Sequence, residues 1–388
     1  MRIDLKYGCN PNQKNAYLES SGEMPLKVLN GKPGYINLMD GLNGWQLVSE
    51  LKAVTGMSAA ASFKHVSPAG AAVSVPLSDK ERKMYFIPSS KELSPLATAY
   101  IRARGADRMA SFGDFISLSD VCDVCTASII SKEVSDGVIA PGYEPEALEI
   151  LKAKKGGSYL VLQFDPIYRP EGKETHTIFG LDLVQDHNDW LPGEDTFADI
   201  RSTEKEIPES ARLDMIVSLL ALKYTQSNSV CYAKNGQTIG VGSGQQSRIA
   251  CTRLAGNKAD LWQLRQSDKV LGLSFLKGKT RNDKDNIIEQ YLADDPEIDV
   301  ICNWQEYFTE EPETFSNEEK KAYLKSIKGV SLASDGFFPF RDNIDRAAKS
   351  GVSYAAEPGG SSRDDEIVAS ADEHGMVLVF THARLFHH

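Results

Sequence analysis

Two stretches of this chain read as copies of one another, and that repeat constrains the fold more than anything else in the sequence. Asp136-Gly137-Val138-Ile139-Ala140-Pro141-Gly142 resembles Gly351-Val352-Ser353-Tyr354-Ala355-Ala356-Glu357-Pro358-Gly359, each an apolar strand stopped by Pro-Gly. Phe63 to Ala72 has a counterpart in Ser229 to Gly236, and Ala110 to Phe115 has one in Ala333 to Phe338. Two like halves follow. The spacing from Asn228 to Gly336 is much longer than that from Lys64 to Gly113, which predicts an insertion in the second half. The charge-rich stretch at about 252–325 reads as helical and is where the insertion is expected, with Trp262, Leu264 and Leu271 as its small core.

Between the repeated blocks, strands alternate with helices. Leu42 to Val54 places apolar residues at helical spacing, and a short buried strand ends at Ala61. Ser94-Pro95 supplies an N-cap and a first-turn Pro for a helix ending at Gly105. Val121 to Lys132 and Glu144 to Ala153 read as further helices around the strand Gly137 to Ala140. The alternation predicts an α/β sandwich. Residues 1–40 read as an irregular opening segment with short strands, Arg169 to Lys173 as a β-excursion, and His187 to Pro208 as a linker.

Composition removes several function classes. The 388 residues carry a net charge of −11, which disfavours non-specific nucleic-acid binding. No apolar run is long enough to span a bilayer and no leader opens the chain, so a cytoplasmic location is expected. Cys122 and Cys125 have a spacing that zinc deaminases use, but no second such pair and no His-x-Glu accompanies them. Zinc is not expected, and the thiols read as buried and reduced.

Lys64 and His65 stand side by side where an apolar run breaks into Ser67-Pro68-Ala69-Gly70. A Lys there offers positive charge to a developing oxyanion, and a His moves protons near neutral pH. For the dipeptide alone, a surface Lys and a turn-capping His is the better reading.

The octapeptide Phe63-Lys64-His65-Val66-Ser67-Pro68-Ala69-Gly70 resembles a block of the AICAR transformylase part of the bifunctional purine-biosynthesis enzymes. The resemblance recurs in Asn30 to Asn37, Arg104 to Met109, Ser111 to Phe115, Ser135 to Tyr143, Tyr224 to Val230, Gly244 to Arg248, Phe337 to Asn343 and Arg384 to His388. These blocks follow the family's order from residue 2 to the last residue.

The resemblance implies two cytidine-deaminase-like α/β/α subdomains, at 1–200 and 201–388, and a homodimer whose sites draw on both chains. The implied reaction moves a formyl group from 10-formyltetrahydrofolate to the 5-amino group of AICAR. That amine is a poor nucleophile, so the site must take its proton, steady an oxyanion and protonate the departing folate nitrogen. His65 is assigned the proton transfer, Lys64 the electrostatic role, and Asn228 the carboxamide or formyl oxygen. Lys6, Tyr7, Arg248 and Arg384 are expected around the phosphoribosyl end, with Gly113, Asp136 and Phe337 as further nucleotide contacts. Asp342 is expected to accept from the pterin, with Asn343, Met109, Ile249, Ser361 and Ser362 beside it. A structural potassium ion is implied near Thr225, Ser227, Ser229 and Asp335.

Departures from the family pattern are local. Lys6-Tyr7-Gly8-Cys9-Asn10-Pro11-Asn12-Gln13 stands where the family has Arg-Tyr-Gly-x-Asn-Pro-His-Gln, so Lys6 loses the bidentate guanidinium and Asn12 replaces a His. The chain opens directly on transformylase blocks, which predicts formyl transfer without ring closure and a separate IMP cyclohydrolase. Three alternatives stand beside this reading: a zinc deaminase, a silent folate or nucleotide sensor or assembly partner for a separate cyclohydrolase, and a formyltransferase using another donor such as formyl phosphate.

Overall fold

The structure is a computed structural model describing residues 2–20, 22–170 and 172–388, so Met1 and Ser21 of the expected opening segment and Glu171 of the expected β-excursion lie outside the described residues. β1 (Arg2–Asp4) and β2 (Tyr17–Glu19) pair as a short ribbon, and β3 (Leu26–Asn30) leads into α1 (Tyr35–Thr55). The hairpin β4 (Ala59–Lys64) and β5 (Ser67–Val73) follows, then α2 (Asp79–Met84), α3 (Pro95–Gly105) and β6 (Asp114–Leu118). α4 (Val124–Ile130), β7 (Ser135–Ala140), α5 (Pro145–Lys152) and β8 (Leu160–Phe164) complete the first half. A separate exposed hairpin, β9 (Lys173–Ile178) and β10 (Leu181–Asp186), precedes α6 (Glu209–Lys223).

The second half has the hairpin β11 (Val230–Lys234) and β12 (Gln237–Gly242), then α7 (Arg248–Leu264). α8 (Asp268–Leu271), α9 (Arg281–Leu292) and α10 (Asn317–Ser326) intervene before β13 (Val330–Ser334). α11 (Asp342–Lys349), β14 (Val352–Glu357), α12 (Asp364–Glu373) and β15 (Val377–Phe380) end the chain.

Eleven strands form one mixed sheet in the order β15-β14-β13-β11-β12-β5-β4-β6-β7-β8-β3. Each half runs helix, hairpin, helix and then three mutually parallel strands, the first of which lies antiparallel beside the hairpin. The halves meet where β12 runs antiparallel to β5, with Gln237 opposite Ala72. The sheet is covered on both faces, so its strands read as nearly unbroken small or apolar runs such as Ala59-Ala60-Ala61. α1 and α6 cover one face, while α3, α4, α5, α7, α11 and α12 cover the other. Gly70 in β5 and Gly240 in β12 admit the crossing helices: a Cβ would lie 2.0 Å from the Ala103 carbonyl oxygen and 2.2 Å from that of Ala255.

The structure corrects the sequence reading in several places. α1 begins at Tyr35 rather than Leu42, because Gly34 frees its backbone N–H for the Asn37 side chain and starts the helix early. The paired blocks ending at Phe115 and Phe338 are not equivalent: Asp114 opens β6, whereas Asp335 follows the end of β13. The inserted helices begin after α7, not at 252, because α7 packs on β12 as α3 packs on β5. Accordingly Trp262 belongs to the main core and Leu271 packs against it, leaving Leu264 with Ile287, Ile288, Tyr291 and Phe308 in the small cluster.

A buried ionic network docks the inserted helices. Glu133 accepts from Arg104 at 3.2 Å and from Arg281 at 2.9 Å, with Arg108 at 3.6 Å, while Asp285 accepts from Arg108 at 2.5 Å and Arg265 at 2.9 Å. Alternating signs let each buried charge be met by its neighbours.

Candidate active site

Strand direction decides which residues share an edge. Because β4 and β11 run in opposite directions within the sheet, the end of β4 at Lys64 and the start of β11 after Ser229 lie on the same rim. That rim also holds the starts of β6 and β7, the ends of β13, β14 and β15, and the N-termini of α1, α7, α11 and α12. For the second half it is the carboxyl edge of parallel strands, where α/β proteins bind ligands and helix N-termini favour anions.

Lys64 and His65 lie at the turn between β4 and β5. The Lys64 ammonium donates to the Phe112 carbonyl at 2.5 Å and the Gly113 carbonyl at 3.4 Å. Gly113 is needed there: its φ is +75°, and a Cβ would sit 3.1 Å from Lys64 Nζ. His65 is exposed, and its ring makes no hydrogen bond among the described residues. Beneath the turn, the Val66 N–H donates to Asp40 Oδ1 at 2.6 Å. Burial pushes the Asp40 carboxyl up to about 6, and the charges of His65 and Lys64 act to lower it. Sequence reasoning missed Asp40; its one signal is a carboxylate set among Leu38, Gly41 and Leu42, on the side of α1 that faces the core.

The loop 225–229 reaches this turn from the other half. The Gln226 N–H points to Ser67 Oγ at 3.5 Å, and the Ser227–Asn228 peptide is cis. Asp335 organises the loop: its Oδ2 accepts the Ser227 hydroxyl at 2.7 Å and the Ser229 N–H at 3.0 Å, and its Oδ1 accepts from Arg248. The C-terminal segment closes over it, with the Ser227 and His387 backbones joined at 3.0 Å and Leu385 N–H bonded to the Asp335 carbonyl at 2.9 Å.

The expected nucleotide contacts divide by what their charges already do. Arg248 is buried; beyond Asp335 it donates to the Ser229 carbonyl at 3.1 Å and Asn228 Oδ1 at 2.8 Å. Asn228 in turn donates to the Gln245 carbonyl at 2.8 Å. Lys6 and Arg384 are exposed and form no ion pair among the described residues; the Arg384 guanidinium lies over the Phe386 ring. Tyr7 packs on Gly34 at the start of α1, Asp136 pairs with Lys155 at 2.8 Å, and Phe337 is exposed.

The expected folate contacts are less uniform. Met109 is exposed and lines a cavity of about 230 Å³ with Lys258, Leu261 and Trp262. Ile249 is half-buried, Ser362 is exposed, and the Ser361 hydroxyl accepts from Arg363 N–H at 3.1 Å. Asp342 sits in the first turn of α11. Asn343 is fully buried, with its amide used by Thr252, Phe340 and Asp342, so it supports the helix from inside. A larger cavity of about 810 Å³ lies away from this rim, beside Trp45, Phe164 and Tyr168.

Glu357 is the second residue that sequence reasoning missed in a site role. At the end of β14 its Oε2 accepts the Phe338 N–H at 2.6 Å, while Oε1 is buried without a partner among the described residues. Burial and Asp364 push its carboxyl up to about 8, with Arg248 opposing. It fixes the backbone beside Phe337. Cys122 is buried and Cys125 half-buried, and burial pushes the Cys122 thiol up, keeping it protonated.

The fold and rim define an α/β protein whose sheet edge gathers a Lys-His turn, a polar loop and uncommitted cations. Residues 1–258 match the family model described as "AICARFT/IMPCHase bienzyme". Curated relatives include the "Bifunctional purine biosynthesis protein PurH" of Cereibacter sphaeroides and of Ruegeria sp. (strain TM1040), each 31% identical over 99% of this chain. The chain spans 59% of the length of those relatives. It belongs to the AICARFT/IMPCHase family. No helix among the described residues is long and apolar enough to cross a membrane.

Proposed function

We propose that this chain transfers the formyl group of 10-formyltetrahydrofolate to the 5-amino group of AICAR. The observation that carries the reading is the meeting of the Lys64-His65 turn with the Asn228 loop on one rim, in a chain of this family. Lys64 and His65 stand where the amine and formyl carbon would react: His65 accepts the amine proton and passes one to the folate nitrogen, and Lys64 steadies the oxyanion. Lys6 and Arg384, whose charges are uncommitted, take the phosphate, with Tyr7, Gly113, Asp136 and Phe337 along the nucleoside. Arg248 acts by holding Asn228 rather than by meeting the phosphate. Asp342, Met109, Ile249, Ser361 and Ser362 serve the folate.

The two halves, at 1–200 and 201–388, are read as cytidine-deaminase-like subdomains, a reading that the repeated strand order supports. A second copy of the chain completes the site in this reading; the exposed Phe179, Leu181, Leu183 and Val184 of the β9–β10 hairpin suit such a contact. Potassium suits the oxygen donors around Asp335, where the buried Ser229 hydroxyl lacks a partner among the described residues.

An absorbance assay with AICAR and 10-formyltetrahydrofolate tests the proposal. Tetrahydrofolate and formyl-AICAR should form, and His65→Ala should abolish both. Absence of turnover by folded protein with potassium present would overturn it. IMP measured in the same reaction reports separately on ring closure.

A further inference from the structure

The turn that carries Lys64 and His65 is held in a conformation that its Val66 disfavours. His65 has φ 51° and Val66 has φ 61°, both in the left-handed region. Val is β-branched, and such residues are genuine outliers there. Backbone energy of this kind persists only where surrounding structure enforces it.

The second half supplies an internal comparison. The equivalent turn, between β11 and β12, is Lys234-Asn235-Gly236, with φ 57° at Asn235 and 73° at Gly236. Asn and Gly adopt these angles readily, as hairpin turns of this kind require. The equivalent helix also provides the equivalent acceptor: Gly236 N–H donates to Asp214 Oδ1 on α6 at 2.6 Å, matching Val66 N–H and Asp40 on α1. Lys234 donates to the Lys328 carbonyl just before Gly329, as Lys64 does to the Phe112 carbonyl just before Gly113. One architecture is therefore built twice, with favourable turn residues in one copy and His-Val in the other.

We propose that Asp40 is a positioning residue of the active site: by accepting the Val66 N–H it holds the left-handed His65–Val66 turn and so presents Lys64 and His65 to the rim. The inference rests on reading that pair as the reacting groups. The groups facing Asp40 are Lys64 and His65 from the turn and Asp136 from β7, itself paired with Lys155. Asp40 touches neither substrate; it acts through the turn.

Four variants test this by thermal unfolding and steady-state kinetics. Val66→Gly should raise the unfolding midpoint, because the strain is removed whether or not the enzyme turns over. Asp40→Ala should lower the midpoint and reduce kcat by about 100-fold while the KM for AICAR changes by less than about threefold, since geometry rather than binding is lost. Asp40→Asn keeps an acceptor oxygen for the Val66 N–H, so it should retain most of kcat. The double variant Asp40→Ala/Val66→Gly should regain much of the lost kcat. A double variant as slow as Asp40→Ala, or a Val66→Gly chain no more stable than the parent, overturns the proposal. If the parent chain itself shows no turnover, the functional reading fails, while the unfolding midpoints still decide whether Asp40 holds a strained turn.

Discussion

Arg248 is bound to Asp335 through one guanidinium nitrogen and to the Asn228 side chain through another, so a single buried cation ties the end of β13 to the polar loop of the site. Its charge is consumed inside the protein. Arg248→Ala should therefore leave Asp335 buried and unpaired and lower stability by about 3–5 kcal/mol, measured by denaturant unfolding. An unchanged midpoint would show that the pair contributes nothing.

Arg384 provides the contrast, because its guanidinium is exposed and, among the described residues, meets only the Phe386 ring. Arg384→Ala should leave the unfolding free energy unchanged to within about 0.5 kcal/mol. The KM for AICAR should rise by about tenfold or more, the worth of a lost charge-assisted hydrogen bond. An equal loss of affinity for AICAR and for its unphosphorylated nucleoside would count against a phosphate contact.

Glu357 sets a pH dependence of stability. Its carboxyl is raised to about 8 in the folded protein, so the folded state holds a proton that the unfolded chain has released. That contribution is fully present below the usual carboxylate range near 4.5 and is lost as pH rises through about 8. Glu357→Gln keeps the acceptor for Phe338 N–H, and should stabilise the protein more at pH 8 than at pH 5. Asp214, raised to about 7 by burial, acts in the same direction from outside the rim.

Gly240 tests the close crossing of α7 over the hairpin. Gly240→Ala would bring a Cβ to 2.2 Å from the Ala255 carbonyl oxygen, and backbone cannot give way as a flexible side chain would. A loss of about 1–3 kcal/mol is expected. Gly156→Ala is a control with open space around it, where only its φ of 62° resists the change.

The alternation of strands and helices was legible because its signals are local. Ser94-Pro95 starts α3 through a hydroxyl that accepts the Ala97 N–H at 3.1 Å, and Gly105 closes it, as the sequence predicted. Repetition was also visible, but its register was not. Similar strings ending in Phe115 and Phe338 suggested equivalence, yet one precedes its strand and the other follows it, because strand direction is a property of pairing.

The sequence by itself determined the alternation of strands and helices, the Lys64-His65 turn and the family, since propensity, capping and local strings need no distant partner. Only the tertiary structure decided that β4 and β11 run oppositely, which puts Lys64 and Asn228 on one rim although they lie far apart in the chain. It also decided that Arg248 is consumed by Asp335 and that Asp40 lies under Val66. Burial and pairing are set by what each side chain meets across the sheet, and no single stretch of sequence carries that information.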